Sequence, residues 1–249
     1  MIITKSKREL SKMRIAGRIA AQTLATVVAE IQPGVTTLEL DAKAEERIRA
    51  AGAIPAFKGY RGFPASLCTS IDSEVVHGIP SSRRLEDGMI LSLDVGAIWE
   101  GFYGDLAITV PVGEVNDEVV ELLNAGSATL AAGIAKVKAG NRLTDISHAI
   151  QQEAKARGYA VVRDYAGHGI GREMHEDPQV LNYGQPGRGP ELRPGMVLAI
   201  EPMLNEGGHQ VRVAPDGWTV FTADGSLSVH FEHTVAVTDK GPEILTQCE

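Results

Sequence analysis

Asp94 and Asp105 are where the chemistry of this chain starts. They lie in the stretch from Gly88 to Val110, where two runs rich in β-branched and apolar residues flank Ile98-Trp99-Glu100-Gly101, a hairpin turn with glycine at its exit. A hairpin symmetric about Trp99 and Glu100 sets Asp94 directly opposite Asp105. Like charges at cross-strand positions repel, and in so apolar a sheet both carboxylates lose water. A divalent cation between them relieves both costs, because hard cations take carboxylate oxygens. A solvated sheet edge and a shared proton are the alternatives.

The second half of the chain carries the same pattern. Gly195-Met-Val-Leu-Ala-Ile-Glu201 repeats Gly88-Met-Ile-Leu-Ser-Leu-Asp94 position for position, and Glu232-His-Thr-Val-Ala-Val237 echoes Asp105-Leu-Ala-Ile-Thr-Val110. If the halves pack as a pseudo-dimer, four carboxylates converge. Four negative side chains against two doubly positive ions leave room for a bridging hydroxide, and paired ions of this kind generate a nucleophile from water without an activated Ser or Cys. No G-x-S-x-G elbow, reactive-cysteine signature or P-loop is present.

Seven histidines supply the remaining candidates. His148 in a helix and His209 in a polar loop read as surface residues. Strand alternation sends His233 to the face opposite Glu232, whereas His230 shares the acid's face. His77, His168 and His175 each sit beside glycines at a strand or loop end, where functional groups are displayed. The last two are seven apart, too far to pair simply on one helical turn as metal ligands.

These residues need a scaffold. Lys5 to Ile31 is expected to be a long helix, with Leu10, Met13, Ile15, Ile19, Leu24 and Val27 or Val28 at helical spacing. Its Lys5, Lys7, Arg8, Lys12, Arg14 and Arg18 read as a solvated face or as a docking patch for an acidic or nucleic-acid surface. Pro33-Gly34 ends it, and Thr36-Thr-Leu-Glu39 caps a second helix running to about Gly52. Gly140 to Gly158 repeats that second helix, and a helix from about Asp117 to Val137 stands for the first. Each half, about residues 1–113 and 114–249, therefore reads helix, helix, then strands with acids, at a period of just over one hundred residues. This predicts one α+β domain with an approximate twofold axis and a single antiparallel or mixed sheet covered by helices on one side.

With 249 residues, 43% hydrophobic and 22% charged, the composition is that of an ordinary globular chain. The net charge of −8 argues against bulk nucleic-acid binding, and two cysteines exclude a disulfide framework. Neither a signal peptide nor a run long enough to span a membrane is evident, so a cytoplasmic location is expected.

Taken together, Cys68-x8-His77-Gly-Ile-Pro, Leu93-Asp94-Val-Gly, Gly104-Asp105, Gly167-His168-Gly-Ile-Gly-Arg172, His175-Glu-Asp-Pro-Gln-Val, Ala199-Ile-Glu201-Pro-Met and Phe231-Glu232-His-Thr resemble the type I methionine aminopeptidases over essentially the whole chain. The resemblance implies the duplicated "pita-bread" fold and removal of the N-terminal methionine from peptides and nascent chains when the second residue is small. It implies two divalent ions (Mn, Fe, Co or Zn), one chelated by Asp94, the other by His168 and Glu201, with Asp105 and Glu232 bridging. Glu201 would be the general base, and His77 and His175 would contact the scissile amide and the developing oxyanion. Tyr60, Phe63, Cys68 and Trp218 would line the methionine pocket, where Met174 and Phe63 depart from the aromatic residue and tyrosine familiar in relatives. Asp72, Glu74 and Ser228 lie near where some relatives bind a monovalent cation. It also implies a monomer whose basic N-terminal helix could contact the ribosome. The competing readings are an X-Pro aminopeptidase or prolidase of the same fold, and a pita-bread binding protein without catalysis.

Overall fold

Ser6 and Glu9 start the first helix by satisfying each other's backbone: the Ser6 hydroxyl accepts from the Glu9 N–H at 3.3 Å, and the Glu9 carboxylate accepts from the Ser6 N–H at 2.9 Å. In the computed structural model, which describes residues 1–248, this helix is α1, Lys7–Val28. It begins later than expected because the capping pair sits at Ser6. Leu10, Met13, Ile19, Leu24 and Val27 are buried as the periodicity requires, but Ile15 is 40% exposed, on the opposite face. The basic residues do not form one solvated stripe either: Lys5 is buried, Lys12 pairs with Glu100 at 2.8 Å and Arg14 with Glu243 at 2.6 Å.

Thr36 and Glu39 cap α2, Thr37–Ala50, as expected. The second half supplies α3, Asp117–Ile134, and α4, Leu143–Ala156. The repeat extends to individual hydrogen bonds. The Met89 sulfur accepts from the Glu86 N–H and the Met196 sulfur from the Arg193 N–H, both at 3.3 Å. Gly88 donates to the Val112 carbonyl and Gly195 to that of Val237, each glycine with φ near +90° (87° and 90°), where a side chain is disfavoured.

The helices cover a nine-stranded sheet in which every pairing is antiparallel. Its order is Ile54–Pro55, Ile90–Trp99, Phe102–Pro111, Glu232–Thr238, Val197–Ile200, Gly167–Gly169, Glu176–Val180. Leu67–Ile71 also pairs with Ile90–Trp99, and Gly241–Ile244 with Glu232–Thr238. The two halves therefore meet where Phe102–Pro111 lies beside Glu232–Thr238. Threonine hydroxyls clasp that seam: Thr234 accepts from the Asp105 N–H and donates to its carbonyl (3.0 and 2.8 Å), and Thr109 does the same for His230 (2.8 and 2.9 Å). On the helical side α1 rests on the sheet backbone, since a Cβ at Gly104 would lie 2.5 Å from the Gly17 nitrogen.

Candidate active site

The turn after Trp99 decides how the first two acids meet. Trp99 pairs with Phe102, leaving Glu100 and Gly101 as a two-residue loop, both left-handed with φ of 46° and 78°. This register is offset from the symmetric hairpin expected from sequence: Asp94 faces Ala107, and Asp105 faces Gly96. The acids are diagonal neighbours on one face instead of direct partners. In the second half His233 pairs with Ile200, and the next residues outward are Glu232 and Glu201, so the head-on arrangement occurs there.

Strand register lays the candidates in two adjacent rows on one face of the sheet. Asp94, Ala107 and Glu232 form one row, which Glu201 continues. Gly96, Asp105, Thr234, Ala199 and His168 form the next. Gly96, Ala107 and Ala199 are small, which leaves volume for the longer side chains. One donor atom each from Asp105, His168 and Glu232 lies within 4.8 Å of the others, and all three residues are buried. His168 Nε2 is 3.4 Å from Glu201 Oε1, while its Nδ1 donates to the Gly169 carbonyl at 2.9 Å. That bond fixes the tautomer and turns the Nε2 lone pair toward the carboxylates.

Removing these groups from water shifts their titration. Burial, reinforced by neighbouring acids, raises Asp94, Glu201 and Glu232 well above the carboxylate range, and burial lifts Asp105 to about 7. Burial lowers His168 to about 4, with His175 adding to the effect. Asp94 Oδ1, Glu232 Oε1 and His230 Nε2 are buried with no hydrogen-bond partner among the described residues. Orphaned acceptors of this kind carry a desolvation cost that a cation removes, and a donor set of four carboxylates and one imidazole fits a hard or borderline divalent ion.

The same acids form one wall of a cleft of about 170 Å³ that also holds His77, His175, Tyr60, Phe63, Cys68 and Trp218. Beside the acids the lining turns apolar: Phe63, Cys68 and Met174 are buried, Cys68 as the cross-strand partner of Asp94, and Trp218 meets Phe63 edge-on at 5.1 Å between ring centroids. His77 holds a left-handed backbone with φ of 61°, a conformation costing on the order of 1 kcal/mol. The next residue stabilises it: the Gly78 carbonyl accepts from Thr69 at 2.8 Å, and a Cβ at Gly78 would sit 2.2 Å from the Thr69 oxygen. His175 stands exposed at the mouth, its Nδ1 2.7 Å from the Tyr60 hydroxyl and its ring 4.2 Å from that of His168. The seven-residue spacing is bridged by a tight return between Gly167–Gly169 and Glu176–Val180, not by a helix.

A model of metallopeptidase family M24 matches residues 11–239. The chain belongs to metallopeptidase family M24. Members of the family contain a divalent metal centre, which agrees with the orphaned carboxylates. The methionine aminopeptidase of Clostridium acetobutylicum is 55% identical over 250 residues, covering 100% of both chains. The crystal structure of methionine aminopeptidase from Rickettsia prowazekii superposes with a TM-score of 0.98 at 44% identity, covering 99% of this chain and 100% of that one. The prolidase of Pyrococcus horikoshii shares the fold, with a TM-score of 0.81 at 26% identity, and this chain spans 65% of its length. The pita-bread fold that the resemblance implied, and with it the duplicated architecture expected from the repeat, is thereby borne out.

Asp94, Asp105, His168, Glu201, Glu232, His77, His175, Tyr60, Phe63, Cys68 and Trp218 all line this one cleft, whereas Asp72, Glu74 and Ser228 lie outside it, Ser228 donating its N–H to the Asp72 carbonyl at 2.9 Å and Glu74 pairing with Arg83 at 3.0 Å. Arg61 and Phe57 line it too and were not anticipated, since they come from an irregular loop with no periodic signal. His230, expected from alternation on the acids' face, is 2% exposed with Nε2 3.8 Å from Glu201 and 4.0 Å from Glu232. His148 and His209 are half-buried and remote from the cleft, and His233 bonds to Thr246 at 2.9 Å on the other face.

Proposed function

We infer that this chain is one catalytic domain that removes N-terminal methionine from peptides and nascent proteins whose second residue is small. The observation that carries this is the direct contact between a thioether-sized apolar wall, built by Phe63, Cys68, Met174 and Trp218, and the carboxylate–imidazole cluster. A flexible, polarisable side chain suits such a wall, and a cleft of about 170 Å³ leaves little room for a bulky second residue beside it. The full-length identity to methionine aminopeptidases supports the same reading.

Asp94, Asp105, His168, Glu201 and Glu232 would together hold two divalent ions, and Mn, Fe, Co and Zn all suit this donor set. Bound there, they would polarise the scissile carbonyl and acidify the attacking water. Glu201 takes the proton from that water and delivers it to the leaving nitrogen as the C–N bond breaks. A Tyr60 hydroxyl that donates to His175 Nδ1, 2.7 Å away, would leave the ring proton of His175 on Nε2, available to the oxygen that gains charge. His77, lowered to about 4 by burial, stays neutral and serves as a second hydrogen-bonding group at the amide. Exposed Lys7 and Arg8 on α1 are the basic residues best placed for a ribosome contact, in a monomeric cytoplasmic enzyme.

Metal-depleted protein, titrated anaerobically with Mn(II), Fe(II), Co(II) or Zn(II), should regain cleavage of Met-Ala-Ser and leave Met-Leu-Ser nearly intact. Preference for Ala-Pro over Met-Ala peptides would move the assignment to an X-Pro peptidase. No cleavage of either with any metal would favour a binding protein without catalysis.

A further inference from the structure

Lys5 belongs by sequence to a basic helix, yet its side chain is only 3% exposed and reaches Glu176 at 2.5 Å, with Glu176 8% exposed. An ion pair buried to this degree is rare at a surface element and holds only where both partners are satisfied. Here they are. Lys5 also donates through Nζ to the Ile3 carbonyl at 3.0 Å, and its N–H donates to Gly195 at 2.7 Å. The second oxygen of Glu176 accepts the backbone N–H groups of Arg172 and Glu173 at 2.8 and 3.3 Å. Gly171 makes the space, because a Cβ there would lie 2.3 Å from Lys5 Cε and 2.6 Å from Glu176 Oε1. The loop so gathered, residues 171–176, carries Met174 into the apolar wall and His175 to the mouth of the cleft.

We propose that the buried Lys5–Glu176 pair is a positioning device for the reaction: it locks the 171–176 loop so that His175 keeps its bond to Tyr60 and its place beside His168. The proposal rests on the role given to His175 above. Neither Lys5 nor Glu176 touches the cleft, so both act through the loop. Lys5→Met removes the cation, keeps an unbranched side chain one atom shorter, and leaves a buried carboxylate answered only by two backbone donors. Gly171→Ala separates the pair by a different route, since its methyl displaces both the lysine end and Glu176 Oε1 and leaves the charge count unchanged.

Each variant should fold, retain the unsubstituted protein's metal per chain, and keep KM for Met-Ala-Ser within about twofold. Each should lose about tenfold in kcat, the scale expected when a catalytic group drifts by a fraction of an ångström. The histidine ¹⁵N spectrum should show the His175 Nδ1 signal moving toward that of an unbonded ring, a readout independent of turnover. Unchanged kcat in both variants, an unmoved His175 signal, or a kcat loss matched by metal loss would overturn the proposal. An unsubstituted protein inactive on Met-Ala-Ser would instead overturn the functional reading, and the ¹⁵N signal would still decide whether the pair positions His175.

Discussion

The proposed mechanism places two demands on Glu201 that are hard to separate, holding an ion and moving a proton. Its carboxyl is raised by burial and by Asp105, and His168 lies 3.4 Å away. Glu201→Gln keeps the shape and removes the charge, so turnover on Met-Ala-Ser should fall by at least about 10³-fold, with weakened metal binding measurable by calorimetry. Retention of more than a tenth of the activity would exclude Glu201 as base. His175→Ala tests the opposite case. It stands at the mouth, bonded to Tyr60, and should cost about 10²-fold in kcat with metal stoichiometry intact. Parallel loss of metal would make His175 a ligand and the oxyanion role wrong.

At the scale of elements, the decisive contact is the seam between Phe102–Pro111 and Glu232–Thr238, because it brings one pair of acids to the other. Thr234 is fully buried and gives both of its hydrogen-bonding capacities to the Asp105 backbone. Thr234→Val keeps the volume and strands that N–H and carbonyl, at a cost of about 2 kcal/mol. Denaturant unfolding should show that loss, and metal affinity should fall because the backbone under Asp105 relaxes. Unchanged stability would mean that the strands hold their register without the clasp. The Glu100-Gly101 turn sets the other register. Sequence marked a hairpin there correctly, but the choice between a turn centred on Trp99-Glu100 and one on Glu100-Gly101 needed the backbone twist that favours two left-handed residues.

For the whole molecule, the metal centre couples stability to pH. Without metal, Asp105 titrates near 7 against an ordinary 3.8, and Asp94, Glu201 and Glu232 are raised as well. The folded state then binds more protons than the unfolded one across this window, so stability is greatest on its acid side and declines as pH rises toward and past 7. The buried histidines act oppositely: His168 near 4 and His230 near 3, against an ordinary 6.5, take stability away as pH falls below 6.5. The chelated protein should therefore have its highest Tm near pH 6 and lose several degrees by pH 8, where added Mn(II) or Co(II) restores it. A chelated protein whose Tm rises steadily from pH 6 to pH 8 would contradict buried, mutually repelling carboxylates.

The linear chain determined by itself the duplication, the two acids contributed by each half, the helix caps at Thr36 and the histidines of the cleft, because these depend on residue type and spacing along one chain. It could not decide which acid faces which: a change of turn centre moves the partner of Asp94 from Asp105 to Ala107, and only the twisted sheet selects between them. Nor could it reveal that Lys5 leaves the basic stripe to pair with Glu176, 171 residues away, or that Phe57 and Arg61 enter the cleft. Those contacts join segments whose separation in sequence carries no period, and they form only once the two halves have closed on each other.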